Sequence, residues 1–275
     1  LELKEINRLE FNAQIWRILI SEKENLIIET RDKDKKEVYY SAFSLNKKEF
    51  LWNNFQPEEK FWIGIEKIYR EVIYFHKFAK PDMPAHRGII AFDIQRKEIL
   101  WEREDVIFKL IAEDKLYALE DDFYGDNILT LDLGTGKELE HYKTYELDLE
   151  ALKFKAEASE DFSRYRFPEI FYNNGADPKI ELAIQTIKDK KDVDIVGNFE
   201  YTLINNLFLT SYHLNYGKKM DNEFCAFDVE EKKFLLEKKL NKQIELFAAD
   251  TFFVYERYLF LLKDQREIQI YTIEG

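Results

Sequence analysis

The sequence predicts an all-β chain: a single six-bladed β-propeller of four-stranded antiparallel blades, with five or seven blades as the alternatives. Three observations carry that expectation. First, one phrase recurs at Ala42-Phe43-Ser44-Leu45, Ala91-Phe92-Asp93-Ile94, Thr130-Leu131-Asp132-Leu133 and Ala226-Phe227-Asp228-Val229. A basic residue follows each copy (Lys48, Lys97, Lys137, Lys232), and then an apolar group: Phe50-Leu51-Trp52, Ile99-Leu100-Trp101, Leu139 and Phe234-Leu235-Leu236. Second, an aromatic residue opens an apolar run at Trp16, Trp62, Phe108, Phe154, Phe199 and Phe247, in steps of 45 to 48 residues. Six units of about 46 residues fill the 275-residue chain. A fixed period of this length with four short strands per unit is the signature of a propeller blade. Third, the last unit has three strands and then the chain ends, while its start carries the strand-like apolar residues Leu1, Leu3, Ile6 and Leu9. That N-terminal strand is expected to close the ring and cover a sheet edge. The expected domain is 1–275, with units 16–61, 62–107, 108–153, 154–198, 199–246, and 247–275 joined by 1–15.

Taken in order, the second unit is clearest. Strands are expected at 61–66, 71–76, 88–94 and 98–101, where β-branched and aromatic residues crowd between charged or Pro/Gly-bearing segments. The third unit gives 107–112, 115–120, 127–133 and 138–140, with Gly134-Thr135-Gly136 suited to a tight hairpin. The fifth gives 199–204, 207–212, 223–229 and 234–237; the last gives 244–248, 258–262 and 268–273. In the fourth unit two signals conflict. Repeat logic places a strand at Ala183-Ile184-Gln185-Thr186, which lies 29 residues after Phe154 just as Ala91 follows Trp62. Local pattern reads 178–191 as an amphipathic helix, with Asp177 as N-cap, Pro178 at the first turn and Ile180, Ala183, Ile184 and Ile187 on one face. The period favours the strand.

Two stretches, 91–101 (Ala-Phe-Asp-Ile-Gln-Arg-Lys-Glu-Ile-Leu-Trp) and 130–139 (Thr-Leu-Asp-Leu-Gly-Thr-Gly-Lys-Glu-Leu), carry a resemblance. They look like the repeat of pyrroloquinoline-quinone-type, WD-like propellers, in which a strand ending in Ala-x-Asp precedes a Gly-Lys turn and a docking Trp. The resemblance covers about a third of the chain by motif and the rest by period. It implies a fold and not a chemistry, because many non-enzymatic propellers share the phrase. Quinone-dependent members usually have eight blades and often adjacent cysteines, whereas this chain has six units and one Cys. The nearer resemblance is to a bacterial propeller family of unassigned function.

Composition excludes several classes of function. A net charge of −13 without a large basic region argues against binding nucleic acid or anionic membrane. No apolar stretch is long enough for a spanning helix. Cys225 is the sole cysteine, so no intramolecular disulfide can form, and it reads as a small buried hydrophobe. The charged N-terminus lacks the apolar core of a signal peptide, so cytoplasm is the expected location, with a leader absent or removed left open by Leu1.

Chemistry-bearing motifs are scarce. Asp93, Asp132 and Asp228 sit at matching turns, where an acid accepts backbone N–H bonds. Trp52 and Trp101 occupy equivalent fourth-strand positions and are expected to pack between blades. The cluster Asp121-Asp122-Phe123-Tyr124-Gly125-Asp126 resembles a fragment of a calcium loop but has no distal Glu partner. The four histidines, His76, His86, His141 and His213, show no ligand spacing, so no metal site is expected, and nucleophile-elbow and phosphate-loop motifs are absent. Long connections at 77–87, 173–177 and 213–222 stand out instead, and loops on a rigid scaffold are where binding concentrates.

The expected function is therefore a non-catalytic scaffold, monomeric and without cofactor, binding a protein or peptide through loops of one face. The candidate binding residues are Asp82, His86, Asp121, Phe123, Tyr124, Asn173, Asn174, His213 and Tyr216. The alternative is a calcium-dependent hydrolase of the lactonase type, with acids converging on the central channel.

Overall fold

The computed structural model describes residues 1–79, 83, 85–121, 126–158, 160–172 and 177–274. The chain forms two compact units, an internal one, Ala13–Asp161, and a terminal one made of Leu1–Asn12 with Phe162–Gly275. Strand β1 (Glu2–Glu10) opens the chain and belongs to the terminal unit.

The internal unit holds three sheets, each of four antiparallel strands hydrogen-bonded in chain order. They are β2 (Gln14–Ile20), β3 (Asn25–Asp32), β4 (Glu37–Ser44) and β5 (Glu49–Phe55); β6 (Ile63–Tyr69), β7 (Val72–Phe78), β8 (His86–Asp93) and β9 (Glu98–Arg103); and β10 (Val106–Ala112), β11 (Lys115–Glu120), β12 (Asn127–Asp132) and β13 (Glu138–Lys143). Alternation along the middle sheet shows why its strands are nearly continuously apolar. Ile73, Phe75, Ile90 and Phe92 pack with Tyr40, Ala42 and Trp52 of the sheet before. Tyr74, Ile89 and Ala91 pack with Ile111, Leu116, Ala118 and Leu129 of the sheet after. Successive side chains point to opposite faces, so a sheet covered on both sides needs apolar residues at every position. Helix α1 (Leu149–Ala158) follows, setting Leu149, Leu152 and Ala156 against Leu110, Ala112, Tyr117 and Ile128.

In the terminal unit come β14 (Tyr165–Arg166), β15 (Glu169–Ile170), helix α2 (Pro178–Lys190), β16 (Ile195–Ile204), β17 (Leu207–Tyr216), β18 (Lys219–Asp228), β19 (Lys233–Ile244), β20 (Phe252–Tyr255), β21 (Tyr258–Lys263) and β22 (Glu267–Glu274). They build two antiparallel sheets, ordered β15-β16-β17-β18-β19 and β1-β22-β21-β20-β14. The N-terminal strand is thus the partner of β22, as its apolar residues suggest.

The repeated phrase has one geometry throughout. Ala42 faces Trp52 and Phe43 faces Phe50, so Leu51 is an extra residue on β5. The same skip occurs at Leu100 (Ala91 with Trp101, Phe92 with Ile99), at Leu139 and at Leu235. It recurs at Ile6, because Ile270 faces Asn7 and Tyr271 faces Glu5. Ile270-Tyr271-Thr272-Ile273 is therefore a copy of the phrase, with β1 as its fourth strand. Trp52 Nε1 donates to the Ile94 carbonyl (2.7 Å) and Trp101 Nε1 to the Leu133 carbonyl (2.9 Å), each tying one sheet to the next.

Several expectations are corrected. Among the described residues there are five sheets rather than six, and 154–198, expected to be the fourth unit, forms no sheet of its own. The segment 178–191 is helical, not a strand. Asp177 accepts a hydrogen bond from Lys179 N (2.8 Å), Pro178 occupies the first turn, and Ile180, Ala183, Ile184 and Ile187 are buried against Phe199, Phe208, Tyr212 and Phe227. A capped 3.6-residue period outweighs the repeat there. The stretch 213–222 is not a long loop, since β17 and β18 stay paired out to Tyr216 and Lys219. The last sheet's first strand lies at 252–255 rather than 244–248. Finally, Trp16 and Trp62 are not equivalent. Trp16 is the extra residue on β2, and the matching residues are Glu66 on β6 and Lys109 on β10.

Candidate functional site

That last correction matters, because the residue matching Trp16 is an acid. In the middle sheet Ile65 faces Phe75 and Lys67 faces Tyr74, leaving Glu66 as a bulge on β6. A second bulge lies across the sheet. Between the pairs Phe75–Ile90 and Lys77–Arg87, β8 has Gly88 and Ile89 against the single His76 of β7. Gly88 sits at φ +67°, a conformation that costs a residue with a Cβ. His86 opens β8. Three consecutive strands thereby bring Glu66, His76 and His86 together.

The two imidazoles are stacked, with ring centroids 3.5 Å apart and planes 7° from parallel. Glu66 Oε1 lies 2.5 Å from His86 Nδ1 and 3.1 Å from His76 Nδ1. The first contact is a hydrogen bond. The second has the distance but not the geometry, and both ring nitrogens of His76 are buried without a hydrogen-bond partner. The His76 side chain is 6% exposed and that of His86 37%. Phe78 packs its ring edge against both, with centroids 5.1 and 5.6 Å away. Gly64 gives His76 its place, since a Cβ there would come within 2.9 Å of Cε1. Burial pushes the Glu66 carboxyl up, but the two imidazoles outweigh it and hold the group below its ordinary value. Two imidazoles and a carboxylate can share a proton or take up a metal ion. Among the described residues no other group of three His, Cys, Asp or Glu side chains converges in this way.

Of the sequence-predicted residues, His86 belongs to this cluster. Asp121 is exposed and its Oδ2 pairs with Arg87 Nε, next to His86, at 2.9 Å. His213 lies in the terminal unit, buried within β17, with Nε2 accepting from Ala248 N (3.1 Å) and the Phe247 ring edge-on at 5.0 Å. Burial lowers its pKa below the ordinary value. Tyr216 is exposed where β17 ends. Asp82, Phe123, Tyr124, Asn173 and Asn174 lie outside the described residues. Sequence reasoning selected neither Glu66 nor His76. Hydrogen-bond register, with Gly64 opposite His76 and Phe78 opposite His86, and the bulges at Glu66 and Gly88-Ile89 bring the three side chains together, and residue spacing alone carries no such signal.

The turn acids do the backbone work expected of them. Asp93 accepts from the amides of Gln95 and Arg96 (both 2.8 Å), Asp132 from Thr135 N and Oγ1, and Asp228 from Glu230 N and Glu231 N. Burial pushes the Cys225 thiol up to about 12, consistent with an unreactive core residue.

The terminal unit presents a different feature. Phe162, Phe167 and Tyr172 are 60%, 59% and 69% exposed, with Ile170 exposed between them. Phe167 stacks on Tyr165 (5.5 Å, 7°) and Tyr165 packs edge-on against Tyr255 (4.8 Å). Phe162 also packs against Tyr165 (6.3 Å), so Phe162, Tyr165 and Phe167 form an aromatic ribbon beside β14, with Ile170 and Tyr172 exposed just beyond it at β15.

The chain is thus a nearly all-β protein of antiparallel meander sheets that carries, among the described residues, the Glu66–His76–His86 cluster and an exposed aromatic ribbon. A family described as a domain of unknown function (DUF4905) matches residues 20–101, a stretch that includes Glu66, His76 and His86. No curated protein matches the chain. Similar solved structures include the Dos1 propeller (10% identity, TM-score 0.30, covering 94% of this chain and 54% of that one). A europium-containing methanol dehydrogenase is another (11%, TM-score 0.32, 96% and 52%). A third is a member of the DUF4221 family from Bacteroides vulgatus (11%, TM-score 0.25, 99% and 98%). The chain spans about half the length of the first two. No helix is long and apolar enough to cross a membrane among the described residues.

Proposed function

We propose that this chain is a non-catalytic β-propeller scaffold that binds a protein or peptide partner. The observation that carries the reading is the aromatic ribbon of the terminal unit. Three large aromatic side chains stand mostly exposed within the eleven residues 162–172, with Ile170 exposed among them. Contiguous exposed apolar surface rimmed by charge marks an interaction site, and aromatic residues dominate the energetics of such sites. Glu169 and Arg166 provide the polar rim. The acids at the hairpin turns already accept turn hydrogen bonds, which supports a binding role over calcium-dependent hydrolysis.

The test is affinity capture from a lysate of the source organism with wild type and with a Phe162→Ser/Phe167→Ser/Tyr172→Ser variant. The variant should melt within roughly 2 °C of wild type, because exposed side chains contribute little to stability. The expected result is a defined partner held by wild type and lost from the variant. Equal recovery by both would overturn the reading.

A further inference from the structure

We propose that Glu66, His76 and His86 form a binding site for a divalent transition-metal ion of the zinc class. The inference goes beyond the scaffold reading and concerns the internal unit alone.

The donor set sets the class of ion. Two imidazole nitrogens and one carboxylate oxygen suit zinc and its borderline neighbours, whereas calcium and magnesium take oxygen ligands. The spacing fits as well. The three ligand atoms lie within 4.8 Å of one another. Tetrahedral bonds of about 2.0–2.1 Å place neighbouring ligands roughly 3.3 Å apart. Glu66 Oε1 and His76 Nδ1, at 3.1 Å, are already near that separation. His86 Nδ1, at 2.5 Å, must move outward, and the stacked rings must splay so that both point at one ion. His86 is the ring with room to do so, being the first residue of β8 and partly exposed.

His76 supplies the independent argument. It is almost fully buried, yet neither ring nitrogen has a hydrogen-bond partner. Buried polar atoms in native proteins are satisfied by protein, water or an ion. Its Nδ1 faces the Glu66 carboxylate, and a bound cation between the two would satisfy it. Several nearby cations are already paired with other acids: Lys77 with Glu102 and Glu104, Arg87 with Asp121, and Arg31, which lies near Gly64, with Glu29, while Arg17 donates to the Ile65 carbonyl. With three protein ligands, a fourth position remains on the side of the partly exposed His86.

The experiment is calorimetric titration of the whole chelator-treated chain with ZnCl2 and, separately, CaCl2, paired with thermal melting. Wild type should bind one zinc ion, gain melting temperature with ZnCl2 and ignore CaCl2. His86→Ala and Glu66→Gln, both at positions with some exposure, should each weaken zinc binding at least tenfold while melting close to wild type without metal. His141→Ala, an exposed histidine on another sheet, should bind zinc as wild type does. No one-to-one zinc binding by wild type, equal binding by wild type and both site variants, or a preference for calcium would each overturn the proposal. The aromatic-ribbon variant should bind zinc normally, so the failure of either proposal is distinguishable from that of the other.

Discussion

Side chains that repeat in sequence here have a repeated structural task, while the Glu66–His76–His86 cluster is not repeated among the described residues. Trp52 and Trp101 each donate to the carbonyl of the last residue of the next sheet's phrase, and the turn acids each accept amides two or three residues ahead. Both roles were legible because the same residue type returns at the same place. His213 could not be placed that way. It reads as a loop residue, but β17 extends through it and buries it. The consequence is a pH dependence. Burial depresses the folded-state pKa of His213, and Nε2 must stay unprotonated to accept from Ala248 N. Below the ordinary value of about 6.5, the unfolded chain binds a proton that the folded chain refuses. The contribution is therefore complete above that pH and is lost as pH falls toward the folded value, levelling off beneath it. Lowering the pH from 7.5 to 5 should reduce the melting temperature of wild type more than that of His213→Gln, measured by circular dichroism. Parallel profiles would show that His213 does not titrate across folding.

At the scale of elements, the contest between period and local pattern was decided by capping. The repeat spacing demanded a strand at 183–186, but a strand needs alternation, and Ile180, Ala183, Ile184 and Ile187 recur at helical spacing on one face. An unfilled place in the repeat foreshadowed this. Where the first two units have Trp52 and Trp101 facing the small residue of the phrase, the third has Glu140 facing Thr130, which pairs with Lys115 instead of docking onto a following sheet. No sheet follows directly; α1 does. The aromatic series failed for another reason: in a chain with 16% aromatic residues, evenly spaced matches arise without structural equivalence. Hydrogen-bond register tracks equivalence more faithfully, and it is register that exposes Glu66 as the counterpart of Trp16. If the cap at Asp177 decides α2, removing it should show. Asp177→Ala loses the bond to Lys179 N and should cost about 1 kcal/mol, a fall of roughly 2–4 °C in melting temperature for a chain of this size. Asp177→Asn, which keeps the acceptor oxygen, should restore most of it; equal losses in both variants would point to charge rather than capping.

For the molecule as a whole, the decisive long-range feature is that the two ends of the chain share a sheet. Eight residue pairs join β1 to β22, from Glu2 with Glu274 to Glu10 with Glu267. Tyr271 Oη donates to Glu5 Oε2 at 2.8 Å, and Leu3 packs into the core formed by Leu209, Leu240 and Leu259. Leu9, 3% exposed, is the most deeply buried side chain of β1. Without β1, β22 would present a long row of unpaired backbone groups, the kind of edge that recruits other chains. Closing a contact between residues so far apart in sequence is entropically costly, so it must be held by burial as well as by the ladder. The burial component can be isolated. Leu9→Ala keeps every backbone hydrogen bond and should cost about 2–5 kcal/mol, read from urea unfolding. Removal of residues 1–10 should cost more and also expose the β22 edge, giving concentration-dependent self-association in sedimentation velocity that Leu9→Ala does not show. A truncated chain that stays monomeric and melts with wild type would mean that β22 is stable as an edge, and that the pairing of the two ends contributes nothing to holding the terminal unit together.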